Sequence, residues 1–503
     1  MVMPTGTESA VAIKSDNGQD KDVPIINNYV NGSFVQSKSD KLLDITDPSN
    51  GNILARLPLS TESEFNEAVE AAKKAFPAWR ETPPVERARY FFKLKMIMEE
   101  RFDEIARVLT VDNGKTLDEA RGSVRRAIEN VEVASGIPTM MQGQTLEDVA
   151  SGIDTAVYRR PIGVFGAITP FNFPAMVPMW FLPYAVATGN TFILKPSEQV
   201  PMTPNLIFEL IDEIGLPDGV INLVHGDKVV VDAMCTHPDI KGVSFVGSSP
   251  VAQHVYSLAS QNGKRVQALG GAKNFLLVMD DADLDSAANA VIASCFGCAG
   301  ERCLAASVLL GDEKIYPELR EMVLQKAKAI KMGSGLDDGV TMGPVVTETH
   351  KQRVLSYIEK GIEEGADMIL DGRGASVEGK EDGFYIGPTI FENVDSSMTI
   401  AREEIFGPVL TMMKVKDLDS AIELISQHPL ANTISIFTTS GKKARKFRYS
   451  VDASMIGVNI GVPAPMSFFT FGGAKGSFFG DLKAHGRDSI EFYTDKKVEI
   501  SRW

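Results

Sequence analysis

The chain has 503 residues, of which 44% are hydrophobic and 23% are charged, a balance that is ordinary for a globular protein with room for two to four domains. Its formal net charge of −15 argues against a general nucleic-acid binder. Four cysteines in this length argue against a disulfide-stabilised scaffold and favour a reducing compartment.

Two segments need to be distinguished from targeting or membrane signals. Residues 1–23 are polar and mixed in charge, which is typical of a disordered tail and not of a signal peptide or an acid-poor transit peptide. We therefore expect a cytoplasmic protein, with the mitochondrial matrix as the alternative. Residues 161–194 carry no charge, but prolines interrupt them, so we expect a buried core segment with active-site loops and no membrane span.

The first part of the chain shows a hairpin signal and then three helical patterns. Asn31-Gly32 lies between apolar residues, as in a two-residue hairpin turn. Thr61 and Glu64 form a capping-box pattern at the start of an amphipathic stretch. We predict helices at about residues 61–76, 83–109 and 115–134.

Strand-like and helical patterns alternate from residue 158 to about residue 279, which predicts a parallel sheet with right-handed crossovers. Ligands of such sheets bind at the carboxyl ends of the strands. The predicted strands are 164–168, 191–194, 219–224, 242–246 and 275–279, and the predicted helices are about 176–188, 203–214, 228–236 and 250–261. Residues 287–470 indicate a second α/β domain, and residues 491–498 indicate a terminal strand.

Three of the four cysteines lie within residues 295–307. Cys303 follows Gly300-Glu301-Arg302 and is our candidate nucleophile, because an adjacent arginine can lower the pKa of a thiol or hold a substrate anion. The alternative is a buried structural thiol. Cys295 and Cys298 form a C-x-x-C, but no second such pair and no suitable histidine spacing accompanies it, so we expect no metal and predict that both pack on one face of a helix.

Polar loops follow three of the predicted strands, where a ligand of the sheet should lie. They are residues 169–174 (TPFNFP), 195–198 (KPSE) and 247–250 (GSSP). A lysine and a glutamate three residues apart can hold ribose hydroxyls, and a Gly-Ser turn before a helix offers backbone N–H groups to a pyrophosphate. The glycine pattern is not G-x-G-x-x-G, so this motif by itself is a weak dinucleotide signal.

Six short motifs occur in a fixed order between residues 171 and 408: FNFP, KPSE, FVGS, LGGAKN, AGERC and EEIFGP. Together they resemble the aldehyde dehydrogenase superfamily, and the resemblance extends from about residue 24 over nearly the whole chain. GVFGAITPFNFP, RVQALGGAKN, the arginine before the cysteine and GSFFGD at 476–481 are similar to the CoA-acylating methylmalonate-semialdehyde dehydrogenases.

The resemblance implies an α/β fold of the aldehyde dehydrogenase type, with a Rossmann-type dinucleotide-binding domain, an α/β catalytic domain and a small β oligomerisation element. We expect a homodimer or a homotetramer. The implied boundaries are 24–141 and 161–272 for the NAD-binding domain, 273–473 for the catalytic domain, and 142–160 with 488–503 for the bridging element.

The same resemblance implies the roles of individual residues. Cys303 attacks the aldehyde carbon, and the Asn172 side chain stabilises the oxyanion together with the Cys303 backbone N–H. Hydride passes to NAD and a thioester remains on Cys303. Glu404 holds the nicotinamide ribose, and Glu198 at the adenosine ribose favours NAD over NADP. The other implied cofactor residues are Thr169, Phe171, Lys195, Gln199, Ser248 and Gly270.

Leu269 stands where hydrolytic members of the superfamily carry a glutamate that activates water. Leucine cannot act as a base, so the thioester should wait for the thiol of coenzyme A. In the alternative, Asp481 or Glu301 activates a water and a free acid is formed. A carboxylate pointing at Cys303 would raise the thiol pKa, so we expect Glu301 to face away or to pair with a basic group.

Two arginines indicate the substrate. Arg302 adjoins the nucleophile, and Arg126 matches the second substrate arginine of the family, with Arg125 as a rival. Guanidinium groups bind carboxylates bidentately, so malonate or methylmalonate semialdehyde is the expected substrate, converted to acetyl-CoA or propionyl-CoA with loss of CO₂. The two differ by one methyl group, which the sequence does not discriminate. Two rival functions are a silent NAD-binding homologue and a zinc or redox protein.

Overall fold

The computed structural model describes residues 23–503, so the expected tail at 1–23 lies outside the described residues except for its last one. Within this range the strands are β1 (Asn28–Val30), β2 (Ser33–Val35), β3 (Leu42–Thr46), β4 (Ile53–Pro58), β5 (Gln144–Ala150), β6 (Ile153–Pro161), β7 (Val164–Ile168), β8 (Thr191–Lys195), β9 (Ile221–Leu223), β10 (Ile240–Val246), β11 (Arg265–Leu269), β12 (Phe275–Val278), β13 (Val308–Asp312), β14 (Asp367–Leu370), β15 (Thr389–Glu392), β16 (Val409–Val415), β17 (Leu430–Ala431), β18 (Thr433–Phe437), β19 (Met455–Val458), β20 (Ala474–Lys475), β21 (Phe478–Gly480) and β22 (Thr494–Arg502).

The helices alternate with these strands over most of the chain. They are α1 (Glu62–Glu81), α2 (Pro84–Glu100), α3 (Phe102–Asn113), α4 (Leu117–Ser135), α5 (Ile137–Met140), α6 (Met176–Met179), α7 (Leu182–Ala187), α8 (Met202–Glu213), α9 (Lys228–Thr236), α10 (Ser249–Gln261), α11 (Leu284–Cys295), α12 (Tyr316–Lys328), α13 (Glu348–Glu363), α14 (Thr399–Arg402), α15 (Leu418–Gln427), α16 (Gly441–Ser450) and α17 (Gly486–Tyr493).

The first large sheet has eight strands in the order β2-β1-β9-β8-β7-β10-β11-β21. Its five inner strands from β9 to β11 run parallel, and β1 and β21 flank them antiparallel. Helices cover both faces, and the inner strands are buried except for the charged residues Lys241 and Arg265 near the start of β10 and β11. The carboxyl ends of β7, β8, β10 and β11 therefore meet along one edge of the sheet.

The second large sheet has seven strands in the order β14-β15-β16-β13-β12-β18-β19, all parallel except β14. A three-stranded antiparallel sheet joins β22, β6 and β5, and β22 pairs with β6 over its full length. The predicted α/β class is confirmed. The domain boundaries stay a prediction.

Several predicted elements are confirmed with small shifts. The hairpin at Asn31-Gly32 joins β1 to β2, and Thr61 and Glu64 form the expected capping box of α1. The parallel strands lie where the alternation indicated, but β11 was missed because the predicted alternation passed directly from the helix ending near residue 261 to the strand at 275. The segment 161–194 is buried around β7, α6, α7 and β8, and no helix within residues 23–503 is long and apolar enough to cross a membrane.

Three predicted elements are wrong in detail. The helix at 83–109 breaks at Arg101, which leaves the helical region between α2 and α3 (φ −102°, ψ 23°). The helix at 176–188 divides into α6 and α7. The terminal strand begins at Thr494, because the preceding residues form α17, which packs Ile490 and Tyr493 into the core.

The predicted helix face shared by Cys295 and Cys298 does not exist. Helix α11 ends at Cys295, and Cys298 lies in the following 3₁₀ turn with a left-handed backbone (φ 50°). The two thiols therefore belong to different local structures.

Candidate active site

The backbone before Cys303 makes a tight left-handed turn that requires glycine at position 300. Cys298, Ala299 and Gly300 have positive φ angles of 50°, 51° and 76°. A Cβ on Gly300 would lie 2.1 Å from the carbonyl oxygen of Gly407, so no other residue fits there without moving the backbone. The turn brings the segment 301–304 against the loop that precedes β16.

Two asparagine side chains hold the main chain of Cys303. The Nδ2 groups of Asn274 and Asn432 donate to the Cys303 carbonyl oxygen at 2.8 Å and 3.0 Å. Asn274 also donates to the Ala305 carbonyl and accepts from the Thr433 N–H. The sequence analysis missed both asparagines as functional residues, although Asn274 is the last residue of the LGGAKN motif.

The Cys303 thiol is protonated at neutral pH in this state. Burial, followed by the Glu404 carboxylate, raises its pKa to about 12, while Arg302 and the nearby backbone N–H groups act in the opposite direction. The expected lowering of the pKa by Arg302 is therefore present but smaller than the effect of burial.

Asn172 is buried beside the nucleophile loop. Its side-chain Nδ2 donates to the Glu301 backbone carbonyl oxygen at 2.9 Å, and the Asn172 backbone carbonyl accepts from the Nζ of Lys115. The buried Lys115 ammonium lies 3.9 Å from the centre of the Phe173 ring. An amide NH₂ carries two hydrogens, so one remains for a substrate oxygen once Glu301 has taken the other.

Cys303, Arg126 and Arg302 line one cavity of about 430 Å³. Most of its wall is apolar, which favours a small substrate held by a few polar groups. The apolar side chains of the wall include Phe173, Met176, Trp180, Leu304, Val462 and Phe471.

Arg302 is fixed by three contacts. Its Nε lies 3.2 Å from the Cys298 sulfur, its Nη1 donates to the Ala293 carbonyl at 3.2 Å, and its Nη2 pairs with Glu119 at 3.3 Å. Glu119 also accepts from the Cys298 backbone N–H at 2.6 Å. This carboxylate ties α4 to the nucleophile loop, a role that no local sequence signal indicated.

The structure distinguishes Arg126 from its rival. Arg126 faces the cavity and pairs with Glu129 at 3.0 Å, and its Nη1 also lies 3.2 Å from the Met466 sulfur. Arg125 points outward and forms a bidentate pair with Glu99 at 2.6 Å and 2.9 Å. The substrate role of Arg126 stays a prediction, which its position favours.

The Glu301 carboxyl group is directed to backbone and imidazole. It accepts from the Val346 N–H at 3.1 Å and lies 3.4 Å from the Nε2 of His350, so it contacts a basic side chain as expected. Burial raises the pKa of Glu301 to about 8 and lowers that of His350 to about 4. Both are therefore largely uncharged at neutral pH and do not form an ion pair.

Leu269 stands in place of a general base and Asp481 is one alternative base, and the two lie in different surroundings. Leu269 ends β11, is 4% exposed and belongs to the main apolar core. Asp481 follows β21 and is exposed to solvent.

Predicted cofactor residues gather at the carboxyl ends of β7 and β8. The Thr169 N–H donates to the Lys195 carbonyl at 3.1 Å, and the Lys195 ammonium pairs with Glu198 at 2.7 Å. The Thr169 hydroxyl and the Gln199 side-chain oxygen are buried and have no hydrogen-bond partner among residues 23–503. Phe171 packs edge-on against His350 and Phe406, each at 5.7 Å.

A second group of predicted cofactor residues lies at the ends of β10 and β11. Ser248 is the N-cap of α10, and its side chain makes no capping bond. Gly270 donates its N–H to the Ser477 carbonyl at 2.9 Å, and a Cβ there would lie 2.9 Å from the Ser249 hydroxyl. This close backbone approach and the unpartnered polar atoms near Lys195 fit a dinucleotide with its pyrophosphate at the start of α10.

Glu404 lies between this group and the nucleophile. It accepts from the Ala272 N–H at 2.8 Å, and burial raises its pKa to about 7. A Cβ on Gly271 would lie 2.3 Å from a Glu404 oxygen, so glycine is needed for the carboxylate to occupy this place. Within residues 23–503, no group of three or more His, Cys, Asp or Glu side chains could hold a metal ion.

Comparison with known proteins agrees with this geometry. Residues 34–498 match the model of the aldehyde dehydrogenase family. The chain is 52% identical over 482 residues to malonate-semialdehyde dehydrogenase 2 of Geobacillus kaustophilus, covering 96% of this chain and 99% of that protein. It is 50% identical over 478 residues to malonate-semialdehyde dehydrogenase of Halalkalibacterium halodurans, covering 95% and 98%.

Two solved structures confirm the predicted fold. The NAD complex of a Sinorhizobium meliloti 1021 protein, described as a methylmalonate-semialdehyde dehydrogenase, superposes with a TM-score of 0.95 at 42% identity and covers 96% of this chain and 99% of that one. The methylmalonate-semialdehyde dehydrogenase of Oceanimonas doudoroffii gives a TM-score of 0.94 at 42% identity, with the same coverage.

Proposed function

The chain belongs to the aldehyde dehydrogenase family, and we propose that it oxidises malonate semialdehyde and methylmalonate semialdehyde with NAD and coenzyme A, giving acetyl-CoA or propionyl-CoA, CO₂ and NADH. The observation that carries the proposal is the single cavity that Cys303, Arg126 and Arg302 line together. A nucleophilic thiol and two guanidinium groups around one small space suit an aldehyde that also bears a carboxylate. Relatives named malonate-semialdehyde dehydrogenases, about half identical over nearly the full length, support this substrate class.

Cys303 in the cavity and three asparagines beside it divide the work of the first step. Cys303 attacks the aldehyde carbon after its thiol loses the proton, and Asn172 donates its second N–H to the oxygen that becomes negative. Asn274 and Asn432 hold the Cys303 carbonyl, which keeps the nucleophile in one place while the substrate binds. NAD, when bound, accepts the hydride, and a thioester remains on Cys303.

The cofactor preference follows from Glu198. Its carboxylate pairs with Lys195 at the carboxyl end of β8, where the adenosine ribose would lie. A ribose hydroxyl can donate to this carboxylate, whereas the 2′-phosphate of NADP would meet its negative charge. We therefore propose NAD as the oxidant, and the NAD-bound relative supports this.

The acyl group is released to a thiol and not to water. Leu269 supplies no base at the end of β11, Asp481 is exposed, and Glu301 is held by Val346 and His350. Coenzyme A can take the acyl group by thioester exchange without such a base. The β-carboxylate of the acyl group leaves as CO₂, the electron pair of the broken C–C bond is delocalised onto the thioester carbonyl, and the α-carbon then takes up a proton.

The proposal is tested by a stopped-flow trace of NADH with malonate semialdehyde, with and without coenzyme A. We expect a burst of about one NADH per site in both cases, and steady turnover only with coenzyme A. Equal steady rates without coenzyme A would show that water reaches the thioester, and a hydrolytic aldehyde dehydrogenase would then be the better description. Absence of any burst would refute the substrate.

We also propose a homodimer or homotetramer built on the sheet of β5, β6 and β22. This sheet exposes large apolar side chains on an otherwise polar surface. Among the described residues, no further strand pairs with its edge strands β5 and β22, which are therefore free to pair with another copy. The exposed side chains are Leu146, Val149, Tyr158, Val498, Ile500 and Trp503. Gel filtration that shows only a 54.6 kDa species would contradict this proposal.

A further inference from the structure

Two side chains in the cavity wall carry polar atoms that the protein leaves without a partner. His485 is 3% exposed and Ser123 is 2% exposed, and both line the cavity that contains Cys303. Among residues 23–503, neither ring nitrogen of His485 has a hydrogen-bond partner, and the hydroxyl of Ser123 has none either. Buried polar groups in native proteins almost always have a partner, and since these two side chains also line the cavity, their polar atoms are available to a ligand that enters it.

The His485 ring is held in position by its neighbours. It stands edge-on to Trp180 with ring centres 4.9 Å apart and contacts Phe471 at 5.6 Å. The backbone of His485 is left-handed (φ 70°), and the preceding residue, Ala484, is bridged to Phe471 by two backbone hydrogen bonds. These two ring contacts and the backbone bridge fix the place of the imidazole in the cavity wall.

One face of α4 forms another part of the cavity wall. Ser123 and Arg126 are three residues apart on this helix and therefore lie on the same side of it. Arg126 lies close enough to His485 for its charge, in addition to burial, to lower the imidazole pKa to about 3. His485 is therefore neutral at physiological pH, with one ring nitrogen as a donor and the other as an acceptor.

We propose that His485 and Ser123 complete, with Arg126, the pocket that receives the carboxylate of the substrate, and that His485 is a specificity-determining residue for carboxylate-bearing aldehydes. Arg126 supplies the positive charge, while His485 and Ser123 each donate one directional hydrogen bond to a carboxylate oxygen. This assignment rests on the proposed function, because it concerns the substrate class of the same cavity.

The test compares malonate semialdehyde with propanal, which has the same chain length and no carboxylate. His485→Phe keeps an aromatic ring between Trp180 and Phe471 but removes both nitrogens. We expect the ratio of kcat/KM for malonate semialdehyde to that for propanal to fall about tenfold, mainly through KM, since one hydrogen bond to a charged group is lost. Ser123→Ala should lower the ratio by about threefold, and His485→Asn, which keeps an N–H donor, should restore most of it.

A second readout does not depend on turnover. 3-Hydroxypropanoate carries the carboxylate but no aldehyde, and its inhibition constant should rise in His485→Phe in parallel with KM. Circular dichroism identifies a variant that does not fold, in which case His485→Asn and Ser123→Ala supply the comparison.

Three outcomes would overturn the assignment. They are an equal loss with both aldehydes, an unchanged ratio, and a loss confined to the step that requires coenzyme A while the NADH burst keeps its rate. Failure of the proposed function looks different, because wild-type enzyme would then show no preference for malonate semialdehyde over propanal. A clear wild-type preference that His485→Phe leaves intact would refute only the role of His485.

Discussion

The cofactor side and the substrate side of the site are built in different ways. On the cofactor side, the ends of β7, β8, β10 and β11 present short local motifs, and much of the surface is backbone shaped by glycines such as Gly270 and Gly271. On the substrate side, the cavity is enclosed by side chains from α4, the segment around α6, the nucleophile loop and residues 462–485. Local motifs can therefore specify a dinucleotide site, whereas substrate specificity depends on contacts between segments far apart in the chain.

Asn172 tests the junction between the two sides, because it follows β7 in sequence but is proposed to donate to the substrate oxygen. Asn172→Ala should lower kcat by ~10²–10³, the usual cost of losing one oxyanion donor, with a small effect on KM for NAD. Steady-state kinetics with each substrate varied in turn measures both values.

The matched control is Asn289→Ala, which removes an exposed asparagine of α11 that bonds only to Asp285 among the described residues. It should behave as wild type. A large rise in KM for NAD in Asn172→Ala, with kcat preserved, would place this residue on the cofactor side and break the division.

Arg126 and Arg125 sharpen the comparison, since adjacent residues of one helix are expected to differ completely in function. Arg126→Gln should lower kcat/KM for malonate semialdehyde by about 10- to 100-fold, because a carboxylate loses a charged, directional partner. The loss with propanal should be much smaller, which distinguishes recognition of the carboxylate from damage to the helix.

Arg125→Gln is the control for this prediction. Arg125 pairs with Glu99, lies 4.9 Å from the centre of the Phe102 ring and does not line the cavity. An exposed ion pair contributes about 0–1 kcal/mol to stability, so activity should stay close to that of wild type. Equal losses in the two variants would remove the substrate role of Arg126.

Substitution of Glu404 is expected to have the smallest effect of the three, and it probes how the cofactor side acts on the pKa of the Cys303 thiol. Its carboxylate contributes to the raised pKa of Cys303, because a thiolate beside a negative charge is disfavoured. Glu404→Gln removes this charge, so the thiol pKa should fall and alkylation of Cys303 by iodoacetamide should become faster at a given alkaline pH. The measurement is the alkylation rate as a function of pH.

Glu403→Gln serves as the neighbouring control, since Glu403 is exposed and bonds to Tyr357. Its alkylation profile should match that of wild type. An unchanged profile in Glu404→Gln would mean that burial alone determines the state of the thiol.

The fold was predictable where the sequence pattern is repetitive. Buried parallel strands are short apolar runs between helices of regular period, and these runs located β7, β8, β10 and β12 to within a few residues. The pattern did not show β11, whose sequence RVQAL contains a glutamine that is buried because it bonds to Ser244 on β10. It also did not show the break at Arg101, because no proline or glycine marks this change of backbone direction. The Arg101 side chain pairs with Glu104 in the helix that follows.

The amino-acid sequence by itself determined the chemistry that this protein can perform: a cysteine after a glycine turn, an asparagine loop after a strand, a leucine in place of a general base, and the motifs that carry the family resemblance. Only the tertiary structure decided which arginine of a neighbouring pair faces the cavity, that Glu301 turns to Val346 and His350, and that His485 lines the same cavity as α4. The physical reason is that residue types limit the available reactions, whereas burial, charge proximity and hydrogen-bond direction arise from packing between segments that are distant in sequence.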